Sequence, residues 1–150
     1  MAPRIPDKTI SDTAAGLRNA IVRTNRALRQ EAAGETGLSP TQTAVLASIN
    51  RSGPLTPSEL AEIERVKRPT MTRTLAYLER EGLIERTPDP ADGRSSLVAV
   101  NEAGRERLAR LRRRKSAYLA RRLRKLEPNE VETLARAAEL LDRMREDEQG

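Results

Sequence analysis

Residues 56–100 read TPSELAEIERVKRPTMTRTLAYLEREGLIERTPDPADGRSSLVAV, and their punctuation decides the fold. Thr56 can cap a helix, and Glu59, three residues on, can complete a capping box. The helix it opens is short, with Leu60, Ala61 and Ile63 as its apolar set. Arg65-Val66-Lys67 turns the chain, and Arg68-Pro69 suits the first turn of a second helix. That helix runs to about Glu81, and Gly82 is a typical C-terminal stop. Leu83–Thr87 and Ser96–Val100 then read as strands, joined by the turn-forming run Pro88–Ser95. Two short helices at a tight turn, followed at once by a hairpin, describe a winged helix-turn-helix.

Working outward, Ser39-Pro40 opens an earlier helix carrying Ala44, Val45, Leu46 and Ile49, which stops at Ser52-Gly53-Pro54. Pro54-Leu55 adds at most a token strand. Further upstream, Leu17, Ile21 and Leu28 sit at helical spacing over 9–34, and residues 1–8 read as a loose arm. Downstream, Asn101 can cap a helix that continues to about Leu126. Pro128 starts a last one, with Val131, Leu134, Ala138 and Leu141 on one face. The expected fold is mainly α with a small β-hairpin, in the order α-α-α-α-β-β-α-α. One domain spans 1–150, with the winged part at 39–101 and flanking helices at 9–34 and 102–146.

Composition narrows the chemistry. The chain of 150 residues has no Cys and no His, which excludes disulfides, thiol or imidazole catalysis and the usual zinc sites. Its core must be aliphatic, because there are 18 Leu but no Phe or Trp. No apolar run is long enough to span a membrane, and MAPRIPDKTI lacks the apolar stretch of a signal peptide. A soluble cytoplasmic protein without metal or cofactor is the expectation. Asp89 and Asp92 could be imagined as the carboxylates of a metal-dependent nuclease, but they lie on a turn with no third acid beside them.

The second helix of the motif has the profile of a reading helix. Met71, Leu75 and Leu78 share a face spanning about 60°, which marks the core side. The opposite side holds Pro69, Arg73 and Ala76, flanked by Thr70 and Tyr77, and residues 68–77 contain no acid. A narrow face with one long cation suits the major groove, where Arg pairs bidentately with guanine. At the hairpin tip, Arg94 is placed for a flanking minor groove, and Asp92 could fix its side-chain pose.

Charge is unevenly spread: residues 105–125 carry +10 and residues 126–150 carry −5. The two runs can pair within one chain or across a dimer. A winged helix of this size cannot cover the apolar stripes of both outer helices, so a homodimer is expected. Lys115 interrupts the leucine stripe of the fifth helix. Lys115 is read as snorkelling to solvent or pairing with the acidic tail, with holding an anionic effector beside Tyr118 as the alternative.

These segments together resemble the MarR (multiple-antibiotic-resistance regulator) family of bacterial winged-helix regulators. The matching pieces are Leu38-Ser39-Pro40-Thr41-Gln42, Leu60-Ala61-Glu62, Arg68–Arg73, Leu78–Ile84, Asp89-Pro90-Ala91-Asp92-Gly93-Arg94 and Asn101–Gly104. The resemblance implies a homodimer on a double-stranded, pseudo-palindromic operator, acting as a repressor released by a small phenolic or lipophilic effector. It assigns base contacts to Arg68, Thr70, Thr72 and Arg73, with Pro69 in the same turn, and the minor-groove contact to Arg94. The family's cysteine-based oxidant sensing has no counterpart here. An architectural or adaptor protein without ligand control is the competing expectation.

Overall fold

The computed structural model describes residues 5–146. Six helices and one hairpin follow in order: α1 Asp7–Thr36, α2 Pro40–Ser52, α3 Pro57–Ile63, α4 Arg68–Arg80, β1 Ile84–Pro88, β2 Ser96–Val100, α5 Glu102–Leu123 and α6 Pro128–Glu146. The described chain falls into two compact units, one ending at Lys115 and one starting at Ser116.

Local chemistry starts each element of the first unit. Ser39 and Thr56 both close reciprocal capping boxes: each side chain accepts from the N–H three residues on, and Gln42 and Glu59 accept back from the cap N–H. The Thr56 bonds hold the Glu59 carboxyl below the usual carboxylate range. The stabilisation that the Glu59 carboxylate adds is therefore fully present above that range and is lost as pH falls through the lowered value, while the bond from the Glu59 N–H to the Thr56 hydroxyl remains. Asn101 joins two elements. Its amide oxygen accepts from the Gly104 N–H at 2.9 Å, and its amide nitrogen donates to the Gly82 carbonyl at 2.8 Å.

The hairpin is antiparallel, with Ile84 opposite Val100 and Pro88 opposite Ser96. The brief strand expected at Pro54-Leu55 survives as a bridge in which Leu55 and Val98 exchange both backbone bonds, at 3.1 and 2.8 Å. The core is aliphatic. Val45, Leu46, Leu60, Leu75, Leu78 and Val98 are fully buried, with Met71, Ile49 and Leu83 beside them. Each large side chain contributes about 1.5–3 kcal/mol, so stability concentrates in the α2–β2 segment.

Several expectations are corrected. Of the apolar set of α3, Leu60 and Ala61 are buried and Ile63 is 48% exposed, because a seven-residue helix turns only one face inward. Helix α5 stops at Leu123 rather than near Leu126, closing in a turn in which Lys125 and Leu126 donate to carbonyls three residues back. The arm expected over 1–8 lies partly outside the described residues; α1 has already begun at Asp7. None of the described helices is long and apolar enough to cross a membrane.

In the second unit, α6 has no buried residue, and Leu134, Leu140 and Met144 are exposed. Its charges are partly paired along the helix, Arg136 with Glu139 and Arg145 with Asp142. In the first unit, α1 buries only Ala32 among its described side chains, while Ile10 and Ile21 stand exposed.

Candidate nucleic-acid interface

Helix α4 buries Met71, Thr74, Leu75 and Leu78, the expected face plus Thr74. Thr74 tolerates burial because its hydroxyl donates to the Thr70 carbonyl at 2.9 Å. Arg68, Pro69, Thr70, Thr72, Arg73 and Ala76 are exposed together. The Thr72 hydroxyl donates to the Arg68 carbonyl at 3.0 Å, which leaves its methyl group and lone pairs for a partner. No side chain caps the start of α4, and its first turn holds no acid. Beside this face, a cleft of about 580 Å³ runs to the start of α2, lined by Ser39, Thr41, Thr70, Arg73, Tyr77 and Arg80 among others.

Tyr77, expected to flank the exposed face, does more. It is half-buried, and its hydroxyl donates to the Gly37 carbonyl at 3.1 Å. Arg80 lies over its ring at 5.1 Å. The helix is thereby pinned to the loop before α2.

The wing is held by its own aspartates. The Asp89 carboxylate accepts from the Ala91 N–H at 2.9 Å, and the Asp92 carboxylate from the Arg94 N–H at 3.0 Å. Asp89 N–H reaches the Ser95 carbonyl, and Ser95 N–H reaches the Asp92 carbonyl. Asp92 was expected to hold the Arg94 side chain; it holds the backbone instead, leaving the exposed guanidinium to project from a locked turn. A second tie was not foreseen. Arg86 of β1 donates to Glu79 of α4 at 3.0 Å and, at the limit of a hydrogen bond, to Ser96 of β2 at 3.5 Å. This joins wing and helix α4 and pairs one of the acids at the end of α4.

Lys115 lines a cavity of about 270 Å³ with Asn25, Arg29, Ala32, Leu38 and Ala44 among others. Tyr118 is not among the lining residues; Arg122 and Arg121 lie over its ring at 5.0 and 5.8 Å. Arg29 and Asn25 were missed, because nothing in the sequence places the end of α1 beside Lys115. Among the described residues no group of acids could hold a metal ion.

An exposed helix face with no acid over residues 68–77, beside a hairpin whose locked tip presents Arg94, is the arrangement of a winged-helix DNA-binding protein. Comparison with known proteins gives the family. Residues 38–96 match the MarR family model. An HTH-type transcriptional regulator of Mycobacterium bovis is 39% identical over 129 residues, 85% of this chain and 89% of that protein. A crystal structure of a transcriptional regulator from Pseudomonas aeruginosa superposes with a TM-score of 0.79 at 34% identity, covering 93% of this chain and 98% of that one. The HTH-type transcriptional repressor IacR of Pseudomonas putida is 27% identical over 97 residues, 65% of this chain and 58% of that protein. The chain belongs to the MarR family. It is a DNA-binding transcription regulator and not an enzyme.

Proposed function

We propose that the protein is a homodimeric repressor that binds a pseudo-palindromic operator and releases it when a small effector binds. The observation that carries the reading is the exposed α4 face beside a wing whose aspartates lock the turn carrying Arg94. In this reading Arg68, Pro69, Thr70, Thr72 and Arg73 enter the major groove, and Arg94 reaches the flanking minor groove. Repression is supported by the Pseudomonas putida relative's name. The operator-binding part is 39–101, and 9–34 with 102–146 carries dimerisation. The effector belongs in the cavity with Arg29 and Lys115, whose apolar floor and two cations suit a small phenolic or other lipophilic acid. A volume of about 270 Å³ lies at the small end of ligand pockets, the size for a single ring. Selection of bound DNA from random sequence, followed by footprinting, tests the whole reading. Recovery of no preferred sequence would instead mark an architectural protein.

The unburied apolar residues of α1 and α6 support the dimer. Leu134→Arg should shift the protein to monomer in sedimentation velocity at micromolar concentration, because the cation would have to be desolvated in an apolar interface. An unchanged dimer would remove α6 from that interface.

For the wing, Arg94→Ala should weaken binding most on operators with A·T-rich flanks, where the narrow groove concentrates negative potential. Preference at the positions read by α4 should stay nearly intact, and the log–log salt slope should fall by about one unit at most. The check is fluorescence anisotropy on two operators that share half-sites and differ in flanks. Equal losses on both would reduce Arg94 to a generic phosphate contact.

A further inference from the structure

Between α3 and α4 the chain reverses over Glu64–Lys67, and Arg65 adopts φ +52 there, a left-handed conformation that side chains rarely take. The backbone bonds within this turn are local: Glu64 N–H to the Leu60 carbonyl, Arg65 N–H to that of Glu62 and Val66 N–H to that of Ala61. One side chain ties it to another element. The Ser48 hydroxyl, on α2 and only 2% exposed, donates to the half-buried Glu64 carboxylate, and Arg51 Nη2 donates to the same hydroxyl at 3.1 Å. Ser48 is thus satisfied on both sides, and the ion-like pair Arg51···Glu64 is bridged through it. Glu64 is the C-cap of α3, and four residues later Arg68 begins the face exposed on α4.

We infer that Ser48 and Glu64 are positioning residues for DNA reading: the bridge from α2 fixes the turn and with it the angle at which α4 meets the groove. The inference rests on α4 being the reading helix. A hydroxyl inside a helix is a poor choice for stability alone, since Ala has the higher helix propensity. Glu64 can find water if its donor is removed, so loss of the bridge frees the turn without emptying the core. Operator binding needs one orientation of α4; binding to unrelated DNA, made through phosphates, does not.

The test measures operator DNA and unrelated DNA of equal length by anisotropy, with thermal melts of each variant. Ser48→Ala and Glu64→Ala are expected to lose up to about tenfold in operator affinity, the limit reached when the worth of a hydrogen bond to a charged group goes into orienting α4 rather than into global stability. Affinity for unrelated DNA should not fall, and the melting temperature should shift little. Glu64→Gln removes the same charge but keeps an oxygen that accepts from Ser48, so it should bind the operator better than Glu64→Ala. The double variant Ser48→Ala/Glu64→Ala should lose no more than the worse single one, because both remove one bond. Operator affinity unchanged in both alanine variants, or losses matched on unrelated DNA, overturns the inference, as does Glu64→Gln behaving like Glu64→Ala. Arg73→Ala in the same assay separates the two failures. If it also leaves operator affinity unchanged, α4 is not the reader; if it weakens binding while the bridge variants do not, only the positioning role falls.

Discussion

Gly104→Ala is expected to destabilise the protein by about 2–3 kcal/mol and to lower its melting temperature by roughly 4–12 °C. Gly104 is buried in the first turn of α5, and a Cβ there would fall inside contact distance of the Leu83 carbonyl oxygen and 2.5 Å from Val100 Cγ2. Neither can yield easily. The Leu83 carbonyl accepts from the Asn101 N–H, and Val100 is paired with Ile84 at the root of the wing. Alanine would add about 1 kcal/mol of helix propensity, which an overpacked backbone contact outweighs. Gly16 supplies the contrast: it lies in α1, where a Cβ would meet nothing within 4 Å. Gly16→Ala should therefore stabilise by up to about 1 kcal/mol. Urea unfolding of both variants beside the wild type checks the pair. Gly104→Ala with unchanged stability would mean that α5 does not start against the hairpin as described.

What the sequence made legible was whatever short-range chemistry decides. The capping boxes at Ser39 and Thr56 span three residues each and were both readable, as was β2 with its bounds at Ser96 and Val100. The α4 core face followed from helical periodicity, and Met71, Leu75 and Leu78 are buried. The end of α5 was less readable because no Gly or Pro interrupts the run before Pro128. Contacts across elements were not readable at all. Ser48 meets Glu64 across 16 positions, and Tyr77 meets Gly37 across 40; no local pattern announces either. The Asp92–Arg94 pair was found, but its geometry was not. A carboxylate two residues before an N–H closes an Asx turn more readily than it reaches back to a long side chain. Arg29 and Asn25 escaped for the same reason as Tyr77, since α1 meets α2 only in the folded chain.

Arg73→Ala should weaken operator binding by about 1–3 kcal/mol per half-site, roughly five- to 150-fold, and relax preference at one base pair. Arg73 is exposed near the middle of the acid-free face and lines the cleft that runs to the start of α2. Among the α4 cations its setting differs from that of Arg80, which lies over the Tyr77 ring. Two kinds of contact would give a loss, and they differ in salt dependence. A bidentate bond to guanine carries sequence information, so its removal relaxes specificity while the log–log salt slope changes little. A phosphate contact carries none, so its removal weakens all sequences alike and lowers the slope by about one unit. Arg73→Lys sharpens the distinction, because lysine keeps the charge but lacks the planar fork. For a base contact it should recover only part of the loss; for a phosphate contact it should recover most of it. Combining Arg73→Ala with Arg94→Ala should give additive losses, since the two side chains serve different grooves and share no partner. Titration of the four variants against operators changed one base pair at a time, at three salt concentrations, separates these outcomes. A uniform loss across all operators with a reduced slope would assign Arg73 to the backbone and move base reading to Thr70 and Thr72. No loss at all would take this face of α4 out of the groove.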